Sequence, residues 1–175
     1  MFYQAFFQQP GTAEAELERD VRSTMRRWLY GLSGDAPSAE RWHPILPDPQ
    51  AGPLNSAGNP TSLPSWVTEA DLDVYTAEFA RTGFRGGLNW YRNIDRNWEL
   101  LAPFAGVPVT VPALYIAGDR DPVMRFPGMD QLLPNLTKFV PRLDKTIILP
   151  GCGHWTQQER PAEVNSAMID FLKRL

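Results

Sequence analysis

The chain contains two histidines, and one of them, His154, lies where catalytic groups are found in open α/β sheets. An apolar run at 146–149 precedes it and is typical of a buried strand, and Gly151 and Gly153 shape the turn that follows. A histidine just past the carboxyl end of a strand can act as a general base near neutral pH. This turn is therefore the first candidate catalytic site.

Two carboxylates occupy the matching position after another apolar run, at 113–118. They are Asp119 and Asp121. Neighbouring parallel strands lie about 4.8 Å apart, so we expect these residues and His154 to share one edge of a sheet. A carboxylate there can hold the imidazole tautomer while the histidine deprotonates water or a nucleophile. The order of acid and then histidine matches the triad order of α/β-hydrolases.

Each of these residues also has a structural interpretation. An aspartate after a strand is more often a turn former or a helix cap, and a lone histidine is more often structural. Cys152 is interpreted as a small packing residue, because one Cys–His neighbour pair is weak evidence for a thiol enzyme. No metal site is expected, since the histidines and carboxylates lack ligand spacing, and Gly83 to Gly87 is interpreted as a turn and not as a phosphate loop.

The elements that must position the candidate site lie in the last third of the chain. Strands are predicted at 113–118 and 146–149, with a brief helix around 127–133 between them. A last helix starts at Pro161 and is expected to bury five apolar residues, Val164, Met168, Phe171, Leu172 and Leu175. This βαβα order predicts two parallel strands. Since parallel sheets normally have several strands, a further segment is expected to complete this one.

The first 104 residues are predicted to be helical or irregular. One amphipathic helix is expected at 13–30, a second opens with a capping box at Thr68 and ends near Gly83, and a third starts at Leu88. The proline-rich segment 33–65, which includes Pro47 and Pro49, is interpreted as an excursion across a lid. Its expected anchors are Trp42, Ile45, Leu46 and Leu54. The predicted domains are thus 1–104, a helical lid, and 105–175, part of an α/β core.

Composition narrows the partners. The net charge is −3 with no basic stripe, so no nucleic acid partner is expected. The apolar runs are too short to span a membrane, and the first residues lack the pattern of a secretory signal. A single cysteine, Cys152, rules out an internal disulfide framework and favours a cytoplasmic location.

Three groups of residues resemble soluble epoxide hydrolases. The lid start of that family is similar to Tyr3-Gln4 with residues 7–11 and 13–17, and its second lid signature is similar to 84–93, Phe-Arg-Gly-Gly-Leu-Asn-Trp-Tyr-Arg-Asn. Its C-terminal end is similar to 118–122 and to 151–155, Gly-Cys-Gly-His-Trp. The resemblance extends over nearly the whole chain. It implies an incomplete α/β-hydrolase fold, with a helical lid followed by the βαβα C-terminal part of a parallel sheet.

The resemblance also implies roles. Tyr3 and Tyr91 would donate hydrogen bonds to the epoxide oxygen, His154 would activate water, and Asp121 would orient the histidine, whereas Asp119 would be a turn residue. The positions that would line the pocket are Gln4, Val123, Met124 and Trp155. The implied reaction adds water to an epoxide through an alkyl-enzyme ester and gives a vicinal diol. No cofactor is implied.

The sequence departs from that family in one respect. Its His-Gly-x-Pro oxyanion segment and its Gly-x-Asp-x-Gly nucleophile elbow are both absent, so the chain is expected to hold half of a catalytic site and to be inactive alone. The expected partners are a small epoxide, the missing N-terminal half of the core and a possible second copy bound through the lid. Two alternatives stay open, a haloalkane dehalogenase-like hydrolase and a non-catalytic truncated module.

Overall fold

The structure is a computed structural model that describes residues 1–46, 48 and 50–175. The chain divides into two compact units. The first comprises Met1–Leu32 and Ala36–Pro103, and the second comprises Ser33–Asp35 and Phe104–Leu175. The predicted excursion includes Pro47 and Pro49, which lie outside the described residues.

The first unit consists of helices and irregular segments. Its short opening helix ends just before the Pro10–Gly11 turn, and Gly11 then starts the second helix in a left-handed conformation that favours glycine (φ 88°). The helices are α1 (Tyr3–Phe6), α2 (Thr12–Leu17), α3 (Val21–Gly31), α4 (Glu69–Thr82), α5 (Arg85–Arg92) and α6 (Ile94–Leu101).

The single helix predicted at 13–30 is wrong in one detail, because the structure divides it into α2 and α3. Asp20 interrupts the helix with an extended backbone, and its carboxylate accepts a hydrogen bond from the Ser23 N–H at 3.0 Å. A short polar side chain that caps the backbone in this way favours a new helix start over a continuous helix. The apolar face is nevertheless buried at Leu17, Met25 and Leu29.

The later helices of this unit begin and end at identifiable signals. The capping box predicted at Thr68 is confirmed, since its hydroxyl accepts from the Asp71 N–H and the Asp71 carboxylate accepts from the Thr68 N–H. The turn predicted at Gly83 to Gly87 is wrong beyond Phe84. Gly86 and Gly87 lie in the first turn of α5, which starts before the predicted Leu88, and the Leu88 N–H already donates to the Phe84 carbonyl at 3.0 Å.

The excursion between α3 and α4 is anchored by side chains and not by regular structure. Short 3₁₀ turns occur at Ser38–Glu40 and Pro53–Ser56. The Trp42 indole N–H donates to the Pro53 carbonyl at 3.1 Å, and Leu46 and Leu54 are buried as predicted. The prediction for Ile45 is wrong, since its side chain is 66% exposed. Its backbone pairs with Phe2 in an isolated antiparallel bridge, which leaves the side chain pointing outward.

The second unit is built on a two-stranded sheet. Strand β1 (Ala113–Gly118) and strand β2 (Leu143–Leu149) pair in parallel, as predicted, with Gly118 opposite Leu149 at their carboxyl ends. β2 starts three residues before its predicted beginning. The helices of this unit are α7 (Met129–Leu132), α8 (Leu136–Phe139), α9 (Thr156–Glu159) and α10 (Pro161–Leu172).

The burial predicted for α10 is correct only at Val164. This residue packs with Leu149 and Cys152 in a small core cluster, against which Ile116 and Ile147 also lie. Met168, Leu172 and Leu175 are exposed and Phe171 is half-buried. Two strands present a narrow face, so they cover only one stripe of the helix. Among the described residues, no helix combines the length and the apolarity that crossing a membrane requires.

Candidate active site

The strand register brings the loop after β1 and the loop after β2 to the same edge of the sheet. Beyond the last pair, Gly118 and Leu149, the Asp119 N–H donates to the Leu149 carbonyl at 3.1 Å, and the Arg120 N–H donates to the Cys152 carbonyl at 2.9 Å. These backbone bonds continue the strand pairing into the loops. The acidic loop and the histidine turn are therefore joined before any side chain contributes.

The two aspartates of the acidic loop contact the histidine turn in different ways. Asp121 Oδ2 lies 3.0 Å from His154 Nδ1, and Asp121 Oδ1 accepts from the Val123 N–H at 2.8 Å. Asp119 Oδ1 accepts from the Gly151 N–H at 2.8 Å. Asp121 thus caps a 3₁₀ turn (Pro122–Arg125) and holds the imidazole, with one oxygen for each. Asp119 stabilises the turn, which fits the part assigned to it above.

The contact with Asp121 determines the protonation of the imidazole. An ionised carboxylate can only accept a hydrogen bond, so Nδ1 of His154 carries the proton and Nε2 keeps a free lone pair. This hydrogen bond raises the pKa of His154 above its ordinary value of 6.5, while burial opposes the shift. The side chain is 40% exposed, so water can reach the ring. Such an imidazole can take a proton from water at Nε2.

The remaining predicted residues of the second unit surround this pair. The ring of Trp155 lies edge-on to the His154 ring, with centroids 5.1 Å apart. Its indole N–H is buried and has no hydrogen-bond partner among the residues that the structure describes. Val123 and Met124 lie on the 3₁₀ turn after Asp121. The Tyr115 hydroxyl contacts the Met124 sulfur at 3.8 Å.

In the first unit, the structure brings Tyr3 and Tyr91 together. Their ring centroids are 5.7 Å apart and the rings meet edge to face, at 73°. The Gln4 side-chain amide donates to the Tyr3 hydroxyl oxygen at 3.3 Å. A side-chain hydrogen bond with Tyr91 also involves that hydroxyl and raises the pKa of Tyr3. Tyr3 and Tyr91 lie 88 positions apart in the sequence but close together in this unit.

Aromatic neighbours partly shield Tyr3 from water. Its ring meets Phe7 and Trp42 edge to face, at centroid distances of 5.4 and 4.9 Å. Burial raises the pKa of Tyr3 to about 12, and Tyr91 adds to the shift while the hydrogen bond from Gln4 opposes it. A phenol with such a pKa keeps its proton across the physiological range. It can therefore act as a hydrogen-bond donor in a largely apolar setting.

Two residues without a predicted role, Gln8 and Arg92, form hydrogen bonds with the segments that carry the tyrosine pair. The Gln8 side-chain amide donates to the carbonyls of Tyr91 and Gln4, at 3.0 and 2.9 Å. Arg92 donates through Nε to the Phe7 carbonyl at 3.0 Å and through both terminal nitrogens to the Glu14 carboxylate. Both Gln8 and Arg92 lie inside the segments that resemble the lid signatures. That position was the one sequence signal that could have found them.

Glu159 is the functional candidate that sequence reasoning missed in the second unit. Its carboxylate accepts three backbone hydrogen bonds, from Gly34, Gly153 and Trp155. The sequence around Glu159 gives no sign that this acid is buried, because it follows two glutamines and precedes an arginine and Pro161. Its partners are recognisable only in three dimensions, because Gly34 is 125 positions away.

Other chemistries find little support in the side chains. Within the described part of the chain, no group of three or more His, Cys, Asp or Glu side chains is arranged to hold a metal ion. Cys152, the single cysteine of the chain, is buried. Burial raises the pKa of its thiol to about 11, with Glu159 contributing, so the thiol stays protonated and is a poor nucleophile.

A parallel sheet with an acid and a histidine after successive strands is the arrangement of an α/β-hydrolase core. Residues 4–167 match the model of the "Alpha/beta hydrolase family", and the chain belongs to that family.

Within the family, the chain is similar to proteins named epoxide hydrolases. It is 45% identical to Epoxide hydrolase A of Mycobacterium tuberculosis, over 99% of this chain and 52% of that protein. It is 39% identical to Epoxide hydrolase 1 of Siraitia grosvenorii, over 99% of this chain and 53% of that protein. The chain thus spans about half the length of the curated relatives it matches.

Solved structures of epoxide hydrolases also match nearly the whole of this chain and about half of their own length. Epoxide Hydrolase A from Mycobacterium thermoresistibile matches with a TM-score of 0.85 and 47% identity, over 99% of this chain and 52% of that one. An epoxide hydrolase from an endophytic Streptomyces matches with a TM-score of 0.90 and 44% identity, over 98% of this chain and 51% of that one. The prediction of an α/β-hydrolase fold of the epoxide hydrolase type, present in part, is confirmed.

Proposed function

We propose that this chain supplies the lid and the histidine part of an epoxide hydrolase, which adds water to an epoxide and gives a vicinal diol. In this reaction an aspartate nucleophile, carried by a complementary half of the sheet, attacks an epoxide carbon. The carbon–oxygen bond of the strained ring breaks, and an alkyl-enzyme ester forms. Water then hydrolyses the ester and releases the diol.

Tyr3 and Tyr91 act in the first step. Opening of the ring builds negative charge on the epoxide oxygen, and phenol donors in a water-poor pocket stabilise that charge. The raised pKa of Tyr3 keeps its proton available until the oxygen becomes basic enough to take it, and the phenolate then regains a proton from water. Gln4 orients the Tyr3 hydroxyl by donating to its oxygen.

His154 and Asp121 act in the second step. His154 Nε2 accepts a proton from water as the water oxygen attacks the ester carbonyl, and Asp121 stabilises the imidazolium that results. The imidazolium then returns the proton to the departing diol oxygen. The 3.0 Å contact between Nδ1 and the carboxylate supports this division of roles. The pocket-lining residues of this part are Val123, Met124 and Trp155, whose positions beside the pair are compatible with substrate contact.

The observation that carries the proposal is the contact between the rings of Tyr3 and Tyr91. An acid–histidine pair is common to the α/β-hydrolases and does not identify the substrate. Paired phenol donors are more specific, because they match the chemistry of a leaving oxygen that stays attached to the product. The similarity to proteins named epoxide hydrolases supports the same substrate class.

The complementary half is proposed to provide the nucleophile, the oxyanion segment and the remaining strands. Exposed apolar side chains in the second unit support this partner. They include Val107, Val109, Val111, Phe139 and Ile148. The strands of the complementary half would cover these side chains. They would also complete a sheet that has only two strands in the described residues. The chain alone is proposed to be inactive.

The test is diol formation by this chain co-expressed with the complementary half of Epoxide hydrolase A. The combination is expected to hydrolyse a simple aryl epoxide, and the chain alone is not. In the combination, the double change Tyr3→Phe and Tyr91→Phe should lower the rate of ring opening by at least about a hundredfold. Tyr75→Phe, on α4, is the matched control and should leave the rate unchanged. Full activity in the double variant would show that the roles given to the tyrosines are wrong.

A dehalogenase-like reaction is the second candidate, and one observation favours it. The buried indole N–H of Trp155, which has no hydrogen-bond partner in the described part of the chain, is the kind of donor that holds a halide ion. Halide release from a haloalkane by the same combination measures this activity. We expect release to be negligible beside diol formation, because the tyrosine pair fits an oxygen leaving group better than a halide.

Two further proposals concern partners and location. A second copy of the chain is proposed to bind through the lid, with Trp90 and Trp98, 79% and 78% exposed, as the supporting observation. Sedimentation of the wild type and of a Trp90→Ser, Trp98→Ser variant tests it.

A cytoplasmic location is proposed on the basis of the single free cysteine. A folded, monomeric and inert chain that no complementary half activates would support a non-catalytic module instead.

A further inference from the structure

The carboxylate of Glu159 lies at the centre of the histidine turn. Oε2 accepts from the Gly34 N–H at 2.9 Å and from the Gly153 N–H at 2.8 Å, and Oε1 accepts from the Trp155 N–H at 3.1 Å. Gly153 and Trp155 are the residues on either side of His154. The side chain is almost fully buried, since the residue is 6% exposed.

Such a carboxylate is costly to bury unless its oxygens are satisfied. Three N–H donors satisfy them here, and hydrogen bonds to an ionised acceptor are about twice as strong as neutral ones. The helix that carries Glu159, α9, has only four residues and starts two residues after His154. The acid therefore fixes the backbone of a turn whose own residues, Gly151 and Gly153, impose little conformational restraint.

Gly34 completes the arrangement from a distant part of the chain. A Cβ atom at this position would lie 2.1 Å from the Gly151 carbonyl oxygen and 2.8 Å from the Gly153 nitrogen. No side chain fits there, so only glycine lets the backbone approach the turn this closely. The Gly34 carbonyl also accepts from the Arg120 guanidinium at 2.8 Å. Gly34 is thus bound to the acidic loop and to Glu159.

We propose that Glu159 is a positioning residue for His154, and that Gly34 is the glycine whose close approach allows the Glu159 carboxylate to bind both sides of the histidine turn. The inference rests on the proposed role of His154 as the base. By fixing the N–H groups of Gly153 and Trp155, Glu159 fixes the direction in which the imidazole leaves the backbone. That direction maintains the contact between His154 Nδ1 and Asp121.

The charge of Glu159 reaches the imidazole as well. The hydrogen bond with Asp121 is the main cause that raises the pKa of His154, burial lowers it, and the charges of Asp121 and Glu159 raise it further. Two arginines of the histidine turn and the acidic loop also lie nearby. Arg160 donates to the Gly151 carbonyl, and Arg120 donates to the Gly34 carbonyl. Glu159 thus acts on the imidazole through its charge, whereas Asp121 also acts through a hydrogen bond.

The experiment follows the ring of His154 by NMR in the intact chain. The only other histidine, His43, is replaced by asparagine in every sample, so one imidazole signal remains. Glu159→Gln is expected to lower the pKa of His154 towards 6.5 and to speed amide exchange at Gly34, Gly153 and Trp155 by at least about tenfold. Glu163→Gln, which removes an exposed acid from the next helix, should change neither reading.

Two further variants separate positioning from folding. Gly34→Ala keeps the Glu159 carboxylate but forces Gly34 away from Gly151, and it should also shift the His154 titration. Glu159→Asp keeps the charge on a shorter side chain, so it should restore part of the amide protection and part of the pKa. If Glu159→Gln does not fold, the His154 titration and the amide exchange of Gly34→Ala and Glu159→Asp test the proposal instead.

Faster amide exchange with an unchanged His154 titration would overturn the proposal, because Glu159 would then support the backbone without acting on the imidazole. An equal effect of Glu163→Gln would overturn it too, since any nearby acid would suffice. These readings do not use diol formation. A chain that hydrolyses no epoxide, even with its complementary half, could still give the expected titration.

Discussion

Arg92 forms a two-pronged hydrogen bond with Glu14, at 2.7 and 2.8 Å, directly beside Tyr91 in the sequence. Both side chains are largely removed from solvent, with 11% and 14% of their surfaces exposed. The same arginine holds the Phe7 carbonyl at the end of α1. The pair therefore joins the two segments that carry Tyr3 and Tyr91.

The first prediction concerns this pair. The hydrogen bonds from Arg92 lower the pKa of Glu14 from 4.5 to about 2. A lowered carboxylate pKa means that the pair stabilises the fold fully above pH 4.5 and ceases to do so as the pH falls through 2. Glu14→Gln should cost about 2 kcal/mol at neutral pH, after allowance for solvent screening. Urea unfolding measures this loss.

The control is Glu78→Gln, which breaks the exposed pair between Glu78 and Arg81. Exposed pairs contribute little, so this change should cost less than about 0.5 kcal/mol. Equal losses in the two variants would contradict a special role for Glu14.

The second prediction concerns Asp121. Because its hydrogen bond raises the pKa of His154, the pair stabilises the fold fully below pH 6.5 and progressively less as the pH rises through the raised pKa. Asp121→Asn should lower the pKa of His154 and remove this dependence. NMR titration and thermal unfolding at several pH values measure both effects. Asp130→Asn, on exposed α7, should have no effect. An unaltered titration in Asp121→Asn would contradict the observed contact.

The third prediction concerns the phenols. The pKa of Tyr3 is raised to about 12 by burial first and by Tyr91 second, so Tyr91→Phe should lower it part of the way towards 10. Ultraviolet titration measures phenol ionisation. A Tyr30→Phe background is needed, because burial and Glu40 raise the pKa of Tyr30 to about 12 as well. Tyr75→Phe serves as the matched removal of a phenol. No change in the Tyr3 titration would mean that burial alone sets this pKa.

The fourth prediction concerns two glycines. At Gly118, the end of β1, a Cβ atom would lie 2.2 Å from the Cys152 carbonyl oxygen, so Gly118→Ala should destabilise the chain by more than about 2 kcal/mol. At Gly86, in α5, a Cβ atom would meet nothing within 4 Å. Gly86→Ala should therefore stabilise the chain by about 0.5 to 1 kcal/mol, because alanine favours the helix. Thermal unfolding compares them, and a neutral Gly118→Ala would refute the close approach.

Local sequence patterns were sufficient for the strands and for the acid–histidine contact. The apolar runs ended in polar turns, β1 occupies its predicted residues, and parallel pairing brought Asp121 to His154. Position in a resembling segment was sufficient to nominate Tyr3 and Tyr91. The paired rings did not follow from helical periodicity, since the chain between them includes an irregular excursion.

Long-range and packing effects could not be read from the sequence. Glu159 binds Gly34 across the chain, and no local pattern reports such a partner. Ile45 had the composition of an anchor, yet a backbone bridge at that residue turned its side chain outward. The apolar stripe of α10 predicted burial correctly only at Val164, because burial depends on how much sheet surface is available.

The division of the chain has a practical consequence for protein engineering. Asp121, His154, Glu159 and Gly34 all fall within the second unit, although Gly34 is flanked on both sides by residues of the first. A chimera that imports a foreign first unit should therefore place its breakpoints so that Ser33–Asp35 stays with the host sequence. Exchange of residues 1–103 as one continuous segment would also replace Gly34, a hydrogen-bond donor of Glu159, and so alter the turn that carries His154.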